Sequence, residues 1–126
     1  MEKPGKANFN QILRDRTLTF SIGINHLFKA KKISAINRPI VNQIIRSSSS
    51  VAANFRSATR ARSDAAYFSK ICIVTEEWDE TQFWLEYLLQ AEELSVEESK
   101  GLRKEADELI RLFTAIKKKM KDKLHK

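Results

Sequence analysis

Apolar residues recur at steps of three and four along nearly all of this 126-residue chain, and the phase breaks at only three short places. Such spacing marks helices that each bury one stripe. Three glycines and two prolines are too few for the many tight turns of a β-sandwich or barrel. The length fits one domain, 1–126, with a modest core of its own. The expected fold is all-α, an antiparallel up-down-up-down four-helix bundle.

The spacing predicts helices over about 10–31, 38–60, 64–92 and 96–122, with residues 1–8 flexible. Phe9, Leu13, Phe20, Ile24, Leu27 and Phe28 mark the first face, with Asn8 as N-cap. Gly23 in its middle lowers helix propensity, and a close helix–helix approach would explain it. The second helix carries Val41, Ile44, Ile45, Ser48, Val51, Ala52 and Phe55, with Pro39 in its first turn. Its Ser47–Ser50 run reads as helix rather than linker, because the apolar residues on either side stay in phase. Gln43, Ser47, Ser50, Asn54 and Ser57 form a small polar line, and Asn42, Arg46, Ser49, Ala53, Arg56 and Arg60 a basic one. Small residues at this spacing let another helix come close.

Phe68, Ile71, Thr75, Trp78, Leu85, Leu88 and Leu89 mark the third helix, capped by Ser63. Phe83, Trp84 and Tyr87 widen its apolar surface. Ser95 followed by Glu98 is a capping box that starts the fourth helix. Leu102, Ala106, Leu109, Phe113, Ile116, Met120 and Leu124 then keep one seam. Links this short force consecutive helices to lie antiparallel.

Charge is distributed unevenly within the net +7. Residues 34–63 hold five arginines and no acid, whereas residues 64–94 hold eight acids and one lysine. The basic blocks therefore offer surfaces to an anionic partner, RNA or DNA. Arg56, Arg60 and Arg62 are nucleic-acid-binding candidates, since guanidinium groups pair bidentately with phosphate. Arg46 pairs instead with Glu77 or Glu80 on the next helix. Lys117, Lys118, Lys119 and Lys121 form a second candidate cluster, which would equally suit a solvated helix end. No aromatic is interleaved among those lysines to stack on bases, so base-specific single-strand recognition has little support there. Gln43, Ser47, Ser50, Asn54, Glu77, Glu80 and Thr81 read as polar partners within the bundle or its interfaces. Trp78 and Trp84 read as core or interface anchors.

The residue types for catalysis are not assembled. Neither His26 nor His125 follows a glutamate by three positions, so the Glu-x-x-His pairs of di-iron bundles are missing. The serines lack a His–Asp arrangement, and no glycine-rich phosphate loop is present. No enzymatic activity, cofactor or metal is expected. Cys72 is the single cysteine and reads as a small buried hydrophobe. No apolar run approaches the roughly 20 residues of a membrane span. The opening Met1-Glu2-Lys3-Pro4-Gly5-Lys6 lacks the apolar core of a signal peptide. The expected compartment is the cytoplasm.

Gln43-x-x-Arg46-Ser47 followed by Ser50-Val51-x-Ala53-Asn54 resembles the second helix of the bacterial four-helix-bundle family named after ribosomal RNA intervening sequences. Phe68-x-Lys70-Ile71-x-Ile73, then Glu77-x-x-Glu80-Thr81-x-x-Trp84-Leu85, resembles its third helix. The resemblance implies a ring-like homopentamer. It also implies kinship in fold and assembly with the accessory protein of diversity-generating retroelements, a basic pentamer that binds a reverse transcriptase and nucleic acid. A protein-interaction scaffold, or an accessory subunit of such an enzyme, is therefore the alternative to direct nucleic-acid binding. Family members commonly follow the Ala-Asn pair with an apolar residue and Ala-Glu-Gly. Here Asn54 is followed by Phe55, Arg56, Ser57 and Ala58, so the acid is lost and an arginine gained.

Overall fold

The computed structural model describes residues 5–125. Its helices are α1 (Lys6–Lys29), α2 (Arg38–Ala58), α3 (Asp64–Gln90) and α4 (Val96–Leu124), with one 3-10 turn at Ala35–Asn37 and no strand among the described residues. α1 packs on α2, α2 on α3 and α3 on α4, and a narrower α1–α4 contact closes the bundle. Consecutive helices run antiparallel across short links, so the two link-bearing ends of the molecule differ in composition.

Each helix gives one aromatic to the centre. Phe20 meets Trp78 edge to face at 4.9 Å, Phe55 meets Phe113 at 5.1 Å, and Trp78 lies 6.5 Å from Phe113. All four are buried, as are Leu13, Ile24, Val41, Ile44, Ile71, Val74, Leu88 and Leu109. Trp78 Nε1 is a buried donor with no partner within the described protein, which limits what this side chain contributes.

α2 continues unbroken through Ser47–Ser50. Ser47 and Ser48 are buried, and their hydroxyls lie against the Ile44 and Ile45 carbonyl oxygens. Across the α2–α3 seam the Ser47 and Thr81 hydroxyls hydrogen-bond at 2.8 Å. Two small polar residues thus bring the backbones close without leaving an unsatisfied group. The α1–α4 seam is different in kind. Gly23 faces Leu102, whose Cδ2 would sit 2.9 Å from a Cβ at that position, so the glycine answers a close approach. Arg16 holds Glu105 through two hydrogen bonds, of 2.6 and 3.0 Å, and also pairs with Glu108.

The helix ends depart from the sequence expectation in several places. α1 begins at Lys6 with Gly5 as its N-cap, so Asn8 lies inside the helix. Lys6 and Ala7 are good helix formers and extend it past the polar residue. Of residues 1–8, expected to be flexible, 1–4 lie outside the described residues and 6–8 are helical. α2 and α3 each stop two residues short of the expected end. Ser63 caps α3 through the Ala66 amide, and Ser95 and Glu98 form the complete capping box of α4. Phe9 and Leu124, placed on buried seams by their spacing, are exposed, because each lies within one turn of its helix terminus at the same end of the bundle. Cys72 is half-buried rather than buried.

α3 ends in a Schellman motif without a glycine. Glu93 N–H bonds to the Leu88 carbonyl at 3.0 Å and Glu92 N–H to the Leu89 carbonyl at 3.1 Å. Glu92 takes the left-handed conformation, φ 63°, where a Cβ is strained and glycine is preferred. Glu92→Gly is therefore expected to stabilise the fold by about 0.5–1 kcal/mol, read as a higher urea midpoint with unchanged slope. A lower midpoint would contradict the strain.

Beside that turn, the Glu93 carboxylate accepts from Ser34 N–H, Ser34 Oγ and Asn37 Nδ2, tying the α3–α4 link to the α1–α2 link. The Ser34 hydroxyl, then Asn37, hold its pKa below the usual carboxylate range. Glu98 is likewise lowered, first by Lys31 and then by the Ser95 amide. A pKa lower in the folded than in the unfolded chain gives stability that is present above the unfolded value, about 4.3. That stability is lost as pH falls through the folded value. Glu93→Gln should flatten the stability profile between about pH 5 and pH 3, as followed by urea unfolding. An unchanged acid limb would contradict the Glu93 assignment.

Candidate nucleic-acid interface

Antiparallel alternation collects the C-terminus of α2, the start of α3 and the C-terminus of α4 at one end of the bundle. Lys123 pairs with Asp64 there at 2.9 Å, and Arg14 donates to the Thr59 hydroxyl at 3.1 Å. The two basic clusters read separately in the sequence therefore share one end. Arg56, Arg60 and Arg62 line a groove of about 500 Å³ between α2 and α3, together with Lys70. Its other walls are the small residues Ala53, Ser57, Ala61 and Ala66, and no acid lines it among the described residues. The three arginines are exposed and Lys70 is half-buried. None of the four makes an ion pair among the described residues. Cations left unneutralised around a floor of small side chains are what a phosphate-bearing chain requires for close approach.

Lys70 was not singled out in the sequence, because it is the lone cation of an acidic segment. The signal was available in the antiparallel register, since a short α2–α3 link sets the start of α3 beside the end of α2. Lys118, Lys119 and Lys121 are exposed at the same end and Lys117 is half-buried. Lys118 lies 3.9 Å from Asp122, an exposed contact of little energetic weight. The sequence shows no aromatic among these lysines, but the fold brings some in. Phe9 and Tyr67 line a groove of about 550 Å³ with Lys119 and Lys123. These rings come from α1 and α3, so the spacing within α4 alone does not show them.

The remaining candidates lie nearer the middle of the bundle. Arg46 reaches Glu80 at 2.7 Å and Glu77 at 3.2 Å. Hydrogen bonding from Arg46, with a further bond from Trp84, holds the Glu80 carboxyl below its ordinary range. Ser50 accepts from Asn54 at 2.9 Å, while Gln43 is exposed. Trp84 sits half-buried between Phe83 and Tyr87, at 4.8 and 5.9 Å between ring centroids. Phe83 also projects into an acidic groove between α3 and α4, lined by Glu76, Asp79, Glu86 and Asp107. No cluster of three or more His, Cys, Asp or Glu residues with metal-holding geometry occurs among the described residues. None of their helices is long and apolar enough to cross a membrane.

A family model described as 23S rRNA-intervening sequence protein matches residues 16–115. The chain belongs to that family. It is also similar to a crystal structure of a protein of unknown function from the S23 ribosomal protein family of Bacteroides thetaiotaomicron. That likeness has 31% identity and a TM-score of 0.74, and covers 83% of this chain and 97% of the other. No curated protein matches the chain significantly. Neither the family description nor that relative carries a catalytic assignment. In this intervening-sequence family member, the matched region contains Arg56, Arg60, Arg62 and Lys70 but ends before the C-terminal lysines. The α2–α3 groove is thus built on the shared part of the fold, whereas Phe9 and Lys119 lie outside it.

Proposed function

We propose that this intervening-sequence family protein is a non-enzymatic bundle that binds RNA or DNA through its basic end. The observation that carries the reading is the α2–α3 groove, where four cations lacking ion pairs converge with no acid among them. Non-specific backbone contacts supply most of such binding. The cytoplasm would give it access to RNA. Titrating purified protein into a labelled ribosomal RNA fragment at about 50 mM salt tests it. Saturable binding that a polyanion competes away is expected, and no binding would overturn the proposal.

Self-association completes the reading, and a homopentameric ring is the form implied by the family resemblance. The contact we assign joins two opposite faces of the bundle. The α1–α2 face holds a groove of about 610 Å³ with exposed Leu18 and Ile22, small Ser49, Ala52 and Ala53, and cationic Arg14. The α3–α4 face presents Phe83, 54% exposed, among its acids. Joining unlike faces gives a heterologous contact, which forms a ring when the rotation closes. Cyclic symmetry then sets every basic end on one side, multiplying the phosphate-binding surface. Arg56 and Arg60 border both grooves, at the edge of that contact. Light scattering is expected to give about five times the 14.6 kDa protomer mass, and Phe83→Glu to shift the protein toward monomer while it stays helical. A wild-type monomer at micromolar concentration would contradict the ring.

The acidic α3–α4 face supports a second reading, in which it contacts a basic partner protein such as a reverse transcriptase. A stable partner retained after nuclease treatment, and lost with Phe83→Glu, would favour that reading over direct nucleic-acid binding.

A further inference from the structure

The basic end carries more than one groove, and neighbouring grooves share lining residues. The arginine groove ends at Ala61 and Arg62. Both residues also line a small depression of about 180 Å³, with Ala58, Thr59, Ser63, Asp64, Asn10 and Tyr67. Asn10 and Tyr67 in turn line the groove of Phe9, Lys119 and Lys123. Depressions that share lining residues therefore follow one another from the α2–α3 groove, around the turn at Arg62, to the space between α1 and α4.

The far groove differs in chemistry from the near one. Phe9 stands 42% exposed on the first turns of α1, where its ring lacks the enclosure given to Phe20 and Phe28. Tyr67 forms another wall, and Ile116 and Met120 supply an apolar floor. Lys119 and Lys123 are four residues apart and so lie on one side of α4. Lys123 is held at the rim by Asp64, whereas Lys119 makes no ion pair among the described residues. Asn10, half-buried, offers both an amide donor and a carbonyl acceptor. No acid lines this groove among the described residues. No described atom lies within 4 Å of the position a Cβ would take at Gly5.

We infer that this groove is a base-stacking subsite, and that the molecule binds single-stranded nucleic acid more tightly than duplex across these adjoining depressions. The inference rests on the nucleic-acid reading above and narrows it to a substrate class. An aromatic ring accepts the face of any unpaired base, and neighbouring ammonium groups hold the phosphates on either side. The edge of the stacked base is then within the zone of the Asn10 amide. A duplex keeps its bases stacked on each other and could use only the cations. A series of depressions that bends around the end of α2 also suits a flexible strand better than a rigid helix.

Two labelled probes distinguish the failures, a 15-mer of polyuridine and an RNA duplex of equal length, each titrated at low salt with the full chain. Phe9→Ala should weaken binding of the single strand by about 5- to 100-fold and leave the duplex within about twofold. Phe9→Tyr should keep single-strand affinity, which separates stacking from a general structural role. Arg60→Gln, as a backbone-contact control, should weaken both probes alike. An unchanged single-strand affinity in Phe9→Ala, or an equal loss on both probes, would overturn the stacking subsite while leaving the nucleic-acid reading standing. Failure of wild type to bind either probe would remove both. Phe9 is exposed, so the alanine variant is expected to fold, as far-ultraviolet circular dichroism would verify.

Discussion

Replacing Arg56, Arg60 and Arg62 together with glutamine is expected to lower RNA affinity by about 100- to 1,000-fold at ~0.1 M salt. Each arginine that neutralises a phosphate releases a condensed counterion, and at that salt each release is worth up to about tenfold in affinity. Glutamine keeps most of the side-chain length and removes the charge. All three arginines are exposed and none makes an ion pair among the described residues, so the fold should be indifferent to the change. Arg46→Gln is the informative contrast. Arg46 is engaged by Glu77 and Glu80, and its loss should affect RNA affinity by less than about threefold. Electrophoretic mobility shift or fluorescence anisotropy would measure both. A loss for Arg46→Gln of about one third of the triple variant's on the logarithmic scale would mean that net charge, rather than the groove, governs binding.

Trp78→Ala is expected to destabilise the bundle by about 3–5 kcal/mol. Trp78 lies between Phe20 of α1 and Phe113 of α4, so alanine would open a cavity at the meeting point of three helices. Small domains have only about 5–15 kcal/mol to lose, and the variant should approach unfolding at physiological temperature. Trp78→Phe should lose only about 1–2 kcal/mol. It retains an aromatic and also removes the buried Nε1 donor that has no partner within the protein. Urea denaturation followed by circular dichroism would separate the two. Similar losses for alanine and phenylalanine would show that the indole nitrogen matters more than the packing.

The periodic features of the fold are readable in the sequence because they depend on neighbours within one helix. The phase of Val41, Ile44, Val51 and Phe55 carries α2 through its serines, and Ser95 and Glu98 announce α4 through a local pair of hydrogen bonds. The turn at Glu92 was not readable in this way. A left-handed residue is normally marked by glycine, and here a glutamate is held there by the hydrogen bonds of Glu92 and Glu93. The start of α1 was misplaced for a related reason. Asn8 has the chemistry of a cap, but the helix formers before it continue the helix back to Lys6.

The candidate site was legible only where it lies on one helix. Arg56 and Arg60 share a face of α2, so spacing alone relates them. Lys70 and Phe9 join the site through tertiary placement, and a stripe says which residues face alike without saying which helix end lies beside them. An aromatic from α1 next to lysines of α4 follows from the alternation of helix direction. That alternation was expected, but its consequence for individual side chains needed the folded positions.

The salt dependence of RNA affinity tests the central claim most directly. A single-stranded RNA titrated with wild-type protein between about 50 and 300 mM salt should give a log–log slope of about −3 or steeper. That value corresponds to at least the four cations of the α2–α3 groove, at roughly 0.7 per phosphate contact on a single strand. In the Arg56, Arg60 and Arg62 triple variant the slope should become shallower by about 2. A flat wild-type slope, or one that the triple variant leaves unchanged, would contradict the assignment of nucleic-acid binding to the basic end of this bundle.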